Sequence, residues 1–223
     1  MSDLKVAFKL SLPILVGYLM LGIAFGIMLE NAGFGVFWSL AMAVLIYAGA
    51  MQFVAVGLLS MGVDIASVFI LVLVINVRQI LYAMAMFKDF SAFPLRSRIY
   101  MFFSLTDETF ALLSVNANLS QKAKFYLSLL NHMYWIVGCV IGSFIGDKFN
   151  VKGIGFVLSA VFVVILLEQI RRSKSYFGAI LGIVIAVICL MIFGKDSFLV
   201  PSMIAIIIAL LVLKALRFKA VRD

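Results

Sequence analysis

Apolar stretches recur from Leu10 almost to the C-terminus of this 223-residue chain, and only short polar links separate them. A helix that crosses the hydrocarbon layer needs about 17–25 apolar residues. Segments 10–29, 65–86, 126–146, 154–170, 177–194 and 198–214 meet that requirement. Hydrophobic residues make up 65% of the chain and charged residues 13%, against about 45–50% and about 25% in soluble domains. A water-soluble fold of this size cannot hide so much apolar surface. The fold class is therefore an all-α polytopic membrane protein. No hydrophilic run is long enough to fold outside the bilayer, so residues 1–223 read as one transmembrane domain that works within it.

Two regions resist assignment as simple spans. Residues 36–60 are interrupted by Gly49, Ala50, Met51 and Gln52, and residues 99–118 carry Thr106, Asp107 and Glu108 near their centre. With both as plain crossings the chain has eight spans, and the basic residues alternate poorly between the two sides. With both as broken or re-entrant hairpins, six full crossings remain and both termini are cytoplasmic. Fourteen basic residues then lie inside, from Lys5 and Lys9 to Arg222, and only Lys148, Lys152 and Lys195 lie outside. That bias follows the positive-inside rule. Each arm of such a hairpin extends about 14 Å, which reaches the membrane midplane. Backbone can be irregular there only against protein or a wet cavity.

The excess of Lys and Arg, 18 against 10 acidic residues, belongs to segment ends and headgroups and does not indicate nucleic-acid binding. The N-terminal stretch after Lys5 and Lys9 lacks a clean cleavage pattern and reads as a retained first helix. Cys139 and Cys189 sit in apolar runs as small packing residues. No metal, redox or nucleotide motif occurs, and no nucleophile–base pair indicates an enzyme. Pro13 and Pro201 are expected near helix starts, where a missing amide costs little. The pairs Gly22 and Gly26, Gly138 and Gly142, and Gly178 and Gly182 have the spacing of close helix contacts.

Polar residues inside the apolar segments are the candidate site. Asn76, Arg78, Gln79 and Tyr82 interrupt the 65–86 segment; Asn76 and Gln79 can share one helical face, as can Arg78 and Tyr82. Arg78 lies roughly 15 Å along the helix from Lys88. A guanidinium at that depth needs an acidic or wet partner. It either locks the fold by pairing with an acid, meets a substrate carboxylate, or snorkels to the headgroups. Asp107 and Glu108 point about 100 degrees apart on a helix, so one can pair with Arg78 while the other faces a cavity, attracting an amino group or exchanging protons. On a surface loop both would simply be solvated. Tyr47 and Gln52 flank a run of small residues that permits either a functional break or a packing kink. His132, with Asn131, Tyr134 and Trp135, reads as hydrogen-bonded or as a headgroup residue, since no second histidine accompanies it.

The blocks Tyr47-Ala-Gly-Ala-Met-Gln-Phe53, Asn76-Val-Arg-Gln-Ile-Leu-Tyr82 and Thr106-Asp-Glu108, with the later segment from Trp135 to Gly146, resemble the AzlC-type branched-chain amino acid permease family. The resemblance implies a bacterial inner-membrane exporter of branched-chain amino acids, and sometimes of methionine, that works with a small AzlD-type membrane subunit. Where the family often has His after the motif's basic residue, this chain has Gln79, which removes a protonatable group at that position. The expected mechanism is secondary active export, with no cofactor and with a proton as a plausible coupling ion. Arg78 and Asp107 or Glu108 would meet the charged ends of the substrate. Tyr47, Gln52, Asn76 and Tyr82 would supply neutral hydrogen bonds. A channel or carrier for another small solute, or a non-transport membrane scaffold or regulatory subunit, is the alternative.

Overall fold

A computed structural model describes residues 2–61, 65–148 and 176–198, together with 163, 167, 201–202, 204–206 and 208–209. The candidate span 154–170 falls almost wholly outside these residues. The described residues are helical, with no strand among them. Two compact units divide the chain, Met1–Leu158 and Ser159–Asp223. In the second, α8 (Phe177–Ser197) is apolar and long enough to span as far as Gly194, whose φ of 74° breaks the helix. The Gly182 position lies 4.0 Å from Ile206 within the same unit.

The first unit is built on α1 (Asp3–Asn31) and α7 (Gln121–Lys148). Leu4, Phe8, Leu12, Val16 and Met20 are exposed at intervals of four and form an apolar stripe along α1. Its other face, with Ala7, Ser11, Tyr18, Gly22, Phe25, Gly26 and Leu29, is buried. Contacts with α7 advance in step along both helices. Ser120 donates to Asp3 at 2.8 Å, Ser11 and Tyr134 hydroxyls lie 3.0 Å apart, and Ser143 donates to Glu30. The two helices are therefore parallel. At the far end they touch through glycine: a Cβ on Gly26 would overlap the Cys139 carbonyl, and one on Gly142 would overlap the Ile23 backbone. Small residues at this spacing let helices approach without lipid between them.

The third long helix, α4 (Ile65–Ser91), runs antiparallel to α1 and α7. Its Met86 and Phe90 cluster with Ala7 of α1 and Leu127 of α7, and Asp89 pairs with Lys124 at 3.1 Å. At 1.5 Å per residue α4 is about 40 Å long, so its start lies at the end of the unit where α1 finishes. There α1 closes in a Schellman turn. Gly33, at φ 88°, donates to Glu30 O, and Phe34 donates to Leu29 O.

Both difficult regions are broken helices. The first consists of α2 (Val36–Leu45) and α3 (Gly49–Met61), the second of α5 (Leu95–Phe103) and α6 (Asp107–Val115). None is long enough to cross about 30 Å of hydrocarbon. The first pair descends from the far end, with Ser39 bonded to Cys139 O at 3.0 Å and Tyr47 beside Tyr18, halfway along α1. It then climbs back, with Phe53 against Phe25 at 5.7 Å. The second pair starts at the near end from Phe93 and reaches Tyr18 at Thr106, 2.6 Å away. It returns with Leu113 in the cluster that holds Ala7 and Leu127. Each region is thus a hairpin that enters and leaves at one end, and the two tips meet at mid-depth. A long helix followed by a hairpin occurs twice, in opposite senses.

Pro13 corrects an expectation. It lies inside α1, not at its start, because helix already forms over the polar residues from Asp3 to Lys9.

Replacing Gly26 or Gly142 with Ala should destabilise the protein by about 1–3 kcal/mol or more through overpacking against backbone. Gly17→Ala, which meets nothing within 4 Å, should be neutral. Thermal unfolding in detergent checks both; equal behaviour of the three variants would contradict the parallel glycine seam.

Candidate functional site

A helix broken in mid-membrane releases backbone groups that need partners. At the first tip, Tyr47 takes φ 43°, a left-handed conformation rare for a bulky residue. Its N–H bonds back to Met42 O, so the Ala43 carbonyl has no helical partner. His132 of α7 supplies one, with Nε2 at 3.2 Å from Ala43 O. A carbonyl only accepts, so Nε2 carries the proton, and in the neutral ring Nδ1 accepts from Tyr100 Oη at 3.1 Å. His132 thus ties α2, α5 and α7 together at their shared level. The Tyr47 ring stacks on it at 4.2 Å and also packs near Phe103.

At the second tip, Thr106 is the N-cap of α6 and accepts from Thr109 N at 3.3 Å. Asp107 and Glu108 occupy the first turn, where the helix dipole favours carboxylates. A capping signal is therefore one complete reason for this sequence. Each acid has a further partner. Arg78 Nη1 lies 2.7 Å from Asp107 Oδ2, with the two side chains 31% and 28% exposed. Glu108 Oε2 accepts from the Tyr18 hydroxyl at 2.7 Å.

Tyr18 connects the tips. Its hydroxyl touches Thr106 and Glu108, while its ring meets Tyr47 at 6.4 Å and Trp135 at 5.7 Å, edge-on in both cases. The polar contacts continue from Thr106 to Thr109 at 3.1 Å, and Asn131 Nδ2 donates to Thr109 at 3.1 Å. Trp135 Nε1 donates to Gln52 Oε1 at 3.0 Å. Because an indole only donates, this contact fixes the Gln52 oxygen and leaves Nε2 as a donor. Among the described residues that Nε2 has no partner, and neither have Asn131 Oδ1, Ser128 Oγ or Arg78 Nε, all of them buried. Such a concentration of unmatched polar atoms at mid-depth is costly for folding alone.

The eight residues singled out from sequence divide. Tyr47 and Gln52 stand at the first tip and Asp107 and Glu108 at the second. Arg78 and Tyr82 reach α6 from α4, Arg78 through Asp107 and Tyr82 by stacking on Phe110 at 4.3 Å. Asn76 and Gln79 are half-buried and make no side-chain hydrogen bond among the described residues. In the sequence Tyr18 is one polar residue in an apolar run, and Asn131, His132 and Trp135 stand only as a group near a helix start. Their one shared signal is position: each lies near the middle of a long apolar helix.

The AzlC family model, described as AzlC protein, matches residues 13–149. A branched-chain amino acid transport protein AzlC of Bacillus subtilis is 35% identical over 216 residues, covering 94% of this chain and 85% of that protein. An uncharacterized membrane protein of Helicobacter pylori strain 26695 is 42% identical over 216 residues, 94% of each chain. The inner membrane protein YgaZ of Escherichia coli K12 is 31% identical over 180 residues, 75% of this chain and 73% of its own. No solved structure matches the chain.

Arg78→Ala leaves Asp107 without its cation. The expected cost is on the order of 1–3 kcal/mol, below that of a fully buried pair because both side chains are only partly buried. The exchanged pair Arg78→Asp with Asp107→Arg should recover most of it. Denaturation midpoints of the three forms check this; an unaffected Arg78→Ala protein would remove the pair from the fold's supports.

Proposed function

The chain belongs to the AzlC family, and from that membership we propose that it exports branched-chain or similar apolar amino acids, methionine included, across the bacterial inner membrane. The observation that carries the proposal is the meeting of two hairpin tips at mid-depth around buried polar atoms without partners. Broken helices that converge at the midplane are where transporters hold small solutes. The named function of the Bacillus subtilis relative supports an amino-acid substrate.

In this reading residues 1–223 act as one transport domain with both termini cytoplasmic, as the placement of basic residues favours. The near end of the first unit is then the cytoplasmic one. It is closed beneath the second hairpin by Phe90, Phe93, Met101, Leu105, Leu113 and Leu127, with the Lys124–Asp89 pair beside them. Transport requires that plug to part, since the unpartnered atoms above it are sealed from solvent. Tyr47, Gln52, Glu108 and the Arg78–Asp107 pair form the binding level, and Tyr82, Asn76 and Gln79 line its approach along α4. The acid pair Asp107 and Glu108 is the place for a coupling proton. A small AzlD-type membrane subunit is the proposed partner, and lipid covers the exposed apolar faces.

Counterflow of labelled leucine, isoleucine, valine and methionine in proteoliposomes, with and without the small subunit, tests the proposal. Saturable exchange is expected, and Tyr47→Phe should slow it by about tenfold, the worth of one buried hydrogen bond to a charged group. Met20→Leu, on the apolar stripe, should leave it unchanged. Absence of exchange in both preparations, with folding verified, would refute the carrier function.

A further inference from the structure

The two hairpin tips are electrically unlike. Each tip holds the N-terminus of one short helix, α3 in the first and α6 in the second, and each N-terminus carries partial positive charge and unpaired amides. At α6 that charge is already answered by the Thr106 cap and by Asp107 and Glu108. At α3 it is not. The preceding Ala48 has no side-chain oxygen, no acidic residue lies in the first turn, and Gln52 N is the first amide to bond back, to Ala48 O at 2.8 Å. The amides of Gly49, Ala50 and Met51 have no cap among the described residues.

One buried donor stands at this same uncapped end: Gln52 is fully buried, with Nε2 unpartnered among the described residues. Trp135 fixes this neighbourhood: its indole holds Gln52 Oε1, and its ring lies 3.2 Å from where a Gly49 Cβ would stand. The helix end and the Gln52 amide therefore offer donors to an anion. At the second tip Glu108 has no cation among the described residues: its contact is the Tyr18 hydroxyl, whereas Asp107 already has Arg78.

Building on the amino-acid reading above, the geometry points to a fixed polarity of binding: the substrate carboxylate docks at the N-terminus of α3 with Gln52 Nε2, and its ammonium docks on Glu108. Arg78 then serves as the counter-ion of Asp107 and is not the carboxylate receptor. A zwitterion neutralises both tips at once, the bare positive one and the acidic one. A molecule with a single charge leaves one tip unanswered. The inner surface of the two hairpins thus selects for an α-amino acid by charge, leaving side-chain preference to the apolar residues around it.

The test uses the full chain in detergent with Trp38→Phe, so that Trp135, the one remaining of the two tryptophans, reports on the site by fluorescence. Three probes are titrated: leucine, isopentylamine, which lacks the carboxylate, and 4-methylpentanoate, which lacks the ammonium. Glu108→Gln keeps an acceptor for Tyr18 but removes the charge. It should weaken leucine and isopentylamine by about tenfold or more while sparing 4-methylpentanoate. Ala48→Asp places a carboxylate cap on α3. It should weaken leucine and 4-methylpentanoate by a similar factor while sparing isopentylamine. Should Asp fail to fold at buried position 48, Gln52→Leu provides the same contrast.

Leucine bound equally well by Glu108→Gln and parent, or all three probes weakened alike by every variant, would overturn the assignment. If the parent ignores leucine but binds another zwitterionic amino acid with the same pattern of losses, the branched-chain reading falls and the polarity stands. A parent that binds neither an amino acid nor either fragment would reject both.

Discussion

Backbone groups freed where a helix breaks inside a membrane find no water to bond, and this constraint governs the centre of the molecule. The α2 end is met by His132, the α6 start by Thr106 and its acids, and the α5 end by backbone bonds from Ser104 and Leu105. These contacts need the long helices at a fixed level. His132, Asn131 and Trp135 all project from one stretch of α7, and Tyr18 faces them from α1. The glycine seam keeps α1 and α7 in register, so the tips depend on packing more than a turn away. Of the four helix ends at the tips, the start of α3 alone is left for something other than the protein.

The unlike tips give transport a physical logic. A bound zwitterion replaces backbone and side-chain partners that neither lipid nor water supplies, so the occupied centre differs in stability from the empty one. Two hairpins entering from opposite ends can each act as a barrier to one side of the membrane. In this state the near side is closed by an apolar plug and a lysine–aspartate pair. The far side is closed by the glycine seam and by the rings of Phe25, Phe53 and Trp135. Tyr47 stands between the two at a positive φ, a strained conformation for a bulky residue.

Much of this architecture was legible in the chain. Long apolar runs gave the class, and the clash between span count and basic-residue placement pointed to two hairpins at 36–60 and 99–118. Small residues around Gly49 and the threonine-acid run at Thr106 located the breaks to within a few residues. What sequence could not supply was partnership across the bundle. The spacing of Gly22 and Gly26 signals a close contact, yet nothing in it says that the partner is Gly138 to Gly146 or that the helices run parallel. That His132 is one histidine without companions says nothing about its capping a carbonyl 89 residues away. Arg78 and Asp107 were each visible as buried charges. Only the fold shows that they meet, which leaves Glu108 without a cation among the described residues.

The most direct measurement is a structure of the full chain with leucine bound, in lipid nanodiscs and enlarged by a bound antibody fragment for particle alignment. The account predicts density between the hairpin tips, its carboxylate at the α3 N-terminus beside Gln52 and its amino group on Glu108, with Arg78 still on Asp107. Leucine seated with its carboxylate on Arg78, or bound away from the tips altogether, would contradict it.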